Sequence, residues 1–225
     1  LLLIMTGSAQ ADRWPLQVGW VWNYYSDYEG QTQRVEVLPK TEMVRGVECI
    51  VLLKELDQIT GLQRAHYFLT KNLELDVWMH GFRDLDTGAE VSFDPPILLL
   101  DQPMAMGGLW STRSISYGGL EVGGPPQSRF IETYEVTDER IFDFVFGTHH
   151  AYGLTKTFSI DPDFPTPPKY AWPPLLGSKN NEDAVIFYSE GFGVSLEYTL
   201  WLISFERPST PAEESTWSDL KRQFR

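Results

Sequence analysis

Apolar and polar residues alternate with a period of two along most of this chain, in short runs punctuated by Gly, Pro and Asp. That period sends successive side chains to opposite faces of a strand, and it predicts a β-rich protein. Val18 to Tyr25, Arg34 to Leu38, Val47 to Leu56 and Leu62 to Leu69 read as the strands of a meander. The breaks at Tyr28-Glu29-Gly30, Arg45-Gly46 and Thr60-Gly61 have turn chemistry. Leu73 to Met79 follows, then a hairpin through Asp84-Leu85-Asp86-Thr87-Gly88 into Ala89 to Phe93. Asp94-Pro95-Pro96 predicts the end of this half.

A second run of strands follows the same plan. Leu109 to Tyr117 is strand-like, and Arg129 to Thr137 with Arg140 to Phe146 reads as a hairpin turning at Thr137-Asp138-Glu139. Phe142, Phe144 and Phe146 share one face, and Ile141, Asp143 and Val145 the other. Gly153 to Ile160 is predicted to be a half-buried strand. Ala184 to Ser189 and Val194 to Glu206 close the sheet, the last strand apolar on both faces and therefore expected at its centre, covered on both sides. Between them, residues 161–183 hold six prolines interleaved with Phe164, Tyr170 and Trp172, a composition unsuited to a sheet interior. After Thr210-Pro211-Ala212-Glu213, a capping box, Trp217, Leu220 and Phe224 fall at helical spacing and predict a short helix over 211–223.

One motif occurs twice. Pro15-Leu16-Gln17-Val18-Gly19-Trp20-Val21-Trp22 returns 88 residues later as Pro103-Met104-Ala105-Met106-Gly107-Gly108-Leu109-Trp110. Both read Pro, apolar, any, apolar, Gly, any, apolar, Trp. The expected fold is therefore all-β and mostly antiparallel, with two related meanders, about 12–100 and 101–206, within one domain over 12–225. The meanders form a strongly curved sheet, a half-open barrel or a sandwich, with a closed barrel as the nearest alternative.

Composition adds a setting. Leu1 to Met5 is an apolar run, and Ala9-Gln10-Ala11 has the small-any-small form of a signal-cleavage site, so residues 1–11 read as a signal-peptide remnant. Export to the periplasm or the extracellular space is the expectation. No Cys follows that site, which excludes a lipobox there. Cys49 is the single cysteine and sits in an apolar strand, where it behaves as a small hydrophobe. The net charge of −13 argues against nucleic acid and against anionic membrane surfaces. No run approaches the roughly 20 apolar residues of a spanning helix. Aromatic residues make up 14% of the chain, which favours pleated sheets and binding faces.

Three constellations carry candidate chemistry. Asp84, Asp86 and Glu90 flank a Gly turn and offer oxygen ligands to calcium, though an ordinary hairpin turn reads the same way. His149 and His150 lie near Asp143, but neighbours on a strand point to opposite faces, so joint metal ligation needs a turn between them. Phe164, Tyr170 and Trp172 could stack on a sugar, cap an apolar cavity, form a protein contact or fold back over the sheet. Nucleophile elbows, zincin helices, phosphate loops and paired Cys motifs are missing from the sequence, and no cofactor is implied.

The opening Pro15 to Tyr24, the close Phe187-Tyr188-Ser189-Glu190-Gly191-Phe192-Gly193-Val194, and Pro95-Pro96-Ile97-Leu98-Leu99-Leu100 running into Trp110 form a pattern. In these residues the chain resembles a broad group of uncharacterised bacterial exported β-rich proteins. Their pattern opens Pro-Leu-x-x-Gly-x-x-Trp-x-Tyr and closes with an aromatic strand entering Gly-x-Gly. The resemblance implies β-rich architecture and no activity. Gly108-Leu109-Trp110 also resembles the Gly-x-Trp of lipocalins, but it lies mid-chain, and its N-terminal counterpart is spaced Gly19-x-x-Trp22.

The function expected from these features is an exported, non-catalytic binding or assembly module. Its contact is a protein partner or an apolar small molecule, made through Phe164, Tyr170, Trp172 or Trp217. The alternatives are a structural subunit of an exported or envelope complex, and a metal-dependent hydrolase built on the His149/His150 region.

Overall fold

The computed structural model describes residues 14–26, 30–58, 61–161, 184–189, 193–197 and 200–208. Among these residues there is no helix, and twelve strands pair antiparallel with their chain neighbours. The first six are β1 (Val21–Ser26), β2 (Gln31–Val44), β3 (Val47–Gln58), β4 (Gly61–Lys71), β5 (Val77–Asp84) and β6 (Glu90–Leu100). The others are β7 (Leu109–Gly118), β8 (Pro126–Phe144), β9 (Gly147–Ile160), β10 (Ala184–Ser189), β11 (Gly193–Glu197) and β12 (Leu200–Glu206). β12 pairs with β1, so the all-β meander expected from the sequence closes into one barrel. The signal remnant, Phe164, Tyr170, Trp172 and the C-terminal helix with Trp217 lie outside the described residues.

One large apolar cluster lines the barrel interior, from Trp22, Val37, Leu52 and Leu69 round to Phe93, Phe130, Leu154 and Leu202. Trp14, Leu16 and Met104, from the segments leading into β1 and β7, belong to the same cluster. Burial of this surface, at roughly 25 cal/mol per Å² of apolar area, is what holds the closed sheet together.

The two Gly-turn motifs open β1 and β7 in the same way. Gly19 and Gly107 have φ of 88° and 77°. Gly19 N–H donates to the Val37 carbonyl (3.0 Å), and Val37 N–H returns to that of Trp20 (2.9 Å). Likewise Gly107 N–H donates to Val136 (2.9 Å), whose N–H returns to Gly108 (2.8 Å). The register agrees beyond the turns: Trp22 pairs with Val35 and Val35 with Lys54, as Trp110 pairs with Tyr134 and Tyr134 with Lys156. Because a Cβ in left-handed backbone costs about 1–2 kcal/mol, Gly19→Ala and Gly107→Ala are each expected to lower stability by about that amount. Urea unfolding checks this, and midpoints unmoved by both changes would mean the turns do not need that conformation.

In both halves the ladder of the long hairpin shifts register after this point. β2 slips register between Val37 and Thr41, and the tip that follows packs Val44 and Cys49 on Val51, Phe68 and Leu120, outside the main core. Cys49 is fully buried there, and desolvation pushes its thiol up to about 12, which keeps it protonated and unreactive. β8 slips between Val136 and Asp138, so the turn expected at Thr137-Asp138-Glu139 is a bulge, and the strand runs on to Phe144. Past the bulge Phe142 meets Phe187 (5.0 Å between ring centroids) and Trp201 (5.7 Å), and Phe146 meets Phe205 (4.9 Å). Ile141 and Val145 face solvent, as their period predicts.

Two further expectations are corrected. Pro95 and Pro96 do not end a strand. They fall where β6 carries extra residues between its Ser92 and Ile97 pairings with β5, a place that needs no N–H donor. The final strand is two strands, β11 and β12, and on the outer face of β12 Trp201 and Ile203 stay about half exposed, Trp201 with Phe142 edge-on to it. Barrel closure gives it neighbours along both edges, and among the described residues its outside is covered only in part.

Candidate functional site

The barrel interior is apolar over most of its wall, with a run of buried polar side chains along β7 and β8. Along β7, Thr112, Ser114 and Ser116 alternate with outward residues and are buried on the same face as Trp110. Ser116 Oγ lies 2.8 Å from Ser128 Oγ, and Ser114 Oγ donates to the Pro95 carbonyl (2.7 Å). Beside them on β8, Glu132 shares its face with Phe130, Tyr134 and Val136.

Glu132 is the centre of this wall. Its side chain is 2% exposed, and Oε1 lies 2.8 Å from Lys156 Nζ, whose side chain is 14% exposed. Oε2 accepts a hydrogen bond from Tyr134 Oη at 3.0 Å. Burial, then the Glu132 charge and the nearby Tyr188, hold the Tyr134 hydroxyl well above the usual tyrosine range, so it stays a donor. Lys156 Nζ also lies 5.9 Å from the Tyr134 ring centroid. An ammonium has three protons, and Glu132 takes one of them. The equivalent ladder positions of the first half hold Gln33 and Lys54, both buried.

A buried ion pair adds little to stability over well-packed apolar residues. It does supply what an apolar chamber lacks: a fixed charge pair and donors that orient a bound molecule. The arrangement contains no activated nucleophile and no donor–base pair aimed at a common point.

The carboxylates proposed as calcium ligands are each bound elsewhere. Asp84 Oδ1 accepts the N–H groups of Asp86 (2.8 Å) and Thr87 (3.0 Å), closing the β5–β6 turn. Asp86 takes the Arg64 N–H (2.8 Å) and guanidinium (3.1 and 3.2 Å), which lower its pKa. Glu90 accepts from Arg83 Nε at 2.7 Å. Among the described residues no group of three or more His, Cys, Asp or Glu side chains converges as a metal site.

His149 and His150 also go separate ways. His149 packs beside Phe146 (5.7 Å) and Phe144 (6.2 Å), whereas His150 Nε2 meets Glu139 Oε1 at 2.5 Å and the Tyr152 ring edge-on at 4.9 Å. His66 and His80 sit on β4 and β5, away from that hairpin. His80 Nε2 is 2.9 Å from Thr70 Oγ1. His66 is 8% exposed, and its Nδ1 has no hydrogen-bond partner among the described residues. Desolvation first, then Lys40 and Arg83, push His66 down to about 4, with Glu42 opposing.

Glu132 and Lys156 were not singled out from the sequence, although the signal was there. Phe130, Tyr134 and Val136 fix the inward face of β8, and Glu132 falls on it by period two; Leu154 and Phe158 do the same for Lys156 on β9.

No protein-family model matches the chain, and no curated protein matches it. Among solved structures it is similar to one named as a putative lipoprotein from Parabacteroides distasonis. The two share 11% identity over 82% of this chain and 88% of the other, with a TM-score of 0.39.

Proposed function

We propose that this chain is an exported, non-catalytic binding module that encloses an apolar or amphipathic small molecule in its barrel. Two matching halves supply the two walls of the chamber, and Lys156 and Glu132 meet the polar end of the ligand. The observation that carries this reading is the buried Glu132–Lys156 pair set in an aromatic barrel interior. Eight strands make a barrel that side chains just fill or that holds one small ligand, and width grows with strand number. Twelve strands make a wider barrel, and aromatic rings face its interior here. Export is supported by the apolar run Leu1 to Met5 and the Ala9-Gln10-Ala11 site.

Native mass spectrometry of the protein purified from its own host tests the reading. The expected result is an adduct of small-molecule mass that organic extraction removes. After extraction, an apolar fluorophore should bind and be displaced by that extract, with affinity reduced about tenfold or more in Lys156→Met. A protein without adduct that takes up no fluorophore would refute the lumen reading. A co-purifying protein at fixed stoichiometry would replace it with an assembly role.

A further inference from the structure

The outer wall of the barrel carries a second place where a ligand fits, independent of the lumen. Pairing brings Trp201, Tyr25, Thr32 and Asp57 into one cross-strand row over β12, β1, β2 and β3. Ser204, Asn23, Arg34 and Glu55 form the row beside it. Directly paired residues put their side chains on the same side of a sheet, and alternation places these rows opposite the inward Trp22, Tyr24, Gln33 and Val35. β1 and β12 slip register between Asn23 and Tyr24, which leaves Ile203 without a pairing partner. Ile203 and Leu62, both about half exposed, then border an open groove of about 490 Å³ whose lining includes Asn23, Thr32, Arg34, Glu55, Asp57 and Ser204.

The chemistry of that groove is mixed in a specific way. Beyond the groove's own lining, in the same row as Thr32 and Asp57, Trp201 and Tyr25 are cross-strand partners that remain 45% and 38% exposed, with Phe142 edge-on to the Trp201 ring at 5.7 Å. Next to them are planar polar groups that donate and accept: the Asn23 amide, which donates to Ser204 Oγ (3.1 Å), and the Arg34 guanidinium between Glu36 (2.7 Å) and Glu55 (3.5 Å). Asp57 is exposed at the groove edge.

We propose that this groove binds a saccharide chain. A sugar presents an apolar C–H face and a rim of hydroxyls, each both donor and acceptor. The first suits the exposed rings beside the groove, and the second suits the carboxylate, amide and guanidinium groups along it. An extended peptide is a poorer occupant, because strand addition needs a free sheet edge and these strands are paired on both sides. Nucleic acid is disfavoured by the acidic groove edge and the net charge of −13.

A glycan array, followed by calorimetric titration with cello-, chito-, xylo- and mannohexaose, tests the proposal. At least one oligosaccharide is expected to bind. Trp201→Ala should weaken that binding about tenfold, the effect of losing one ring contact of about 1.4 kcal/mol, and Asp57→Asn should also weaken it. Asp57→Asn is a surface change, so its thermal unfolding should stay close to wild type. Trp201→Ala also removes a contact with Phe142, so its binding is read well below its own unfolding temperature, and the fluorophore uptake that reports on the barrel interior should not change in either variant. A flat array overturns the proposal, as does binding that survives Trp201→Ala and Tyr25→Ala together.

Discussion

Glu132→Gln is expected to cost about 3–5 kcal/mol of folding stability, a large part of the 5–15 kcal/mol typical of a folded protein. The substitution leaves the shape almost unchanged and removes only the charge. Lys156 Nζ then keeps its ammonium in an apolar lumen without the carboxylate 2.8 Å away, and Tyr134 loses its charged acceptor. Removing both charges should reverse most of the loss, because apolar replacements of a whole buried pair are often neutral or stabilising. Urea unfolding of Glu132→Gln, Lys156→Met and the double variant gives the coupling directly. The pair Arg140–Asp138 is the control: it is 2.6 Å long but partly exposed at the surface, so Asp138→Asn should cost less than about 1 kcal/mol. Equal costs at the two sites would show that Glu132 is hydrated and that the lumen is open to water around it.

Acid should destabilise the protein steeply from pH 6.5 to about pH 4. His66 is neutral in the folded chain down to about 4, against an ordinary value of 6.5. Above pH 6.5 neither the folded nor the unfolded chain protonates it, and its contribution is at full strength. Below 6.5 the unfolded chain takes a proton that the native chain refuses, so stability falls with pH until the folded group titrates as well. At about 1.4 kcal/mol per pH unit, that interval corresponds to a loss of about 3 kcal/mol. The cause lies in the site: a desolvated ring between the Lys40 and Arg83 charges, with no acceptor for a second N–H. His80 and His149 are lowered as well, by burial first, and add slope of the same sign. The discriminating quantity is therefore the difference between wild type and His66→Gln across pH 7, 5.5 and 4. Parallel curves would show that His66 protonates freely in the native state.

Much of the strand pattern was legible because period two and turn chemistry are local properties. The hairpin turns at Arg45-Gly46 and at 84–88, the face shared by Phe142, Phe144 and Phe146, and the buried Cys49 all follow from residues within a few positions of one another. Closure was not legible. It depends on β1 meeting β12, and nothing in the alternation of either strand distinguishes an edge from a seam. The Thr137-Asp138-Glu139 bulge was read as a turn because its polar residues suit both, and only the continuing ladder with β9 separates them. The lumen pair was hidden for a different reason. A Glu on an apolar face looks like an error in the pattern until its Lys partner is placed beside it by the register of two strands.

The seam between β1 and β12 has a consequence for the chain before it is folded. Every other ladder joins strands that follow one another in sequence, whereas the Asn23–Ser204 contact spans 181 residues. The other ladders close over the connections between consecutive strands, the longest of them residues 161–183, but the seam joins the two ends of the described sheet. Until it forms, the sheet is a curled ribbon with two bare edges, and bare edges pair with whatever chain is near. A lesion on the outward side of the seam, at Asn23 or Ser204 for instance, would do little to the core and much to the protein's tendency to aggregate during synthesis and export.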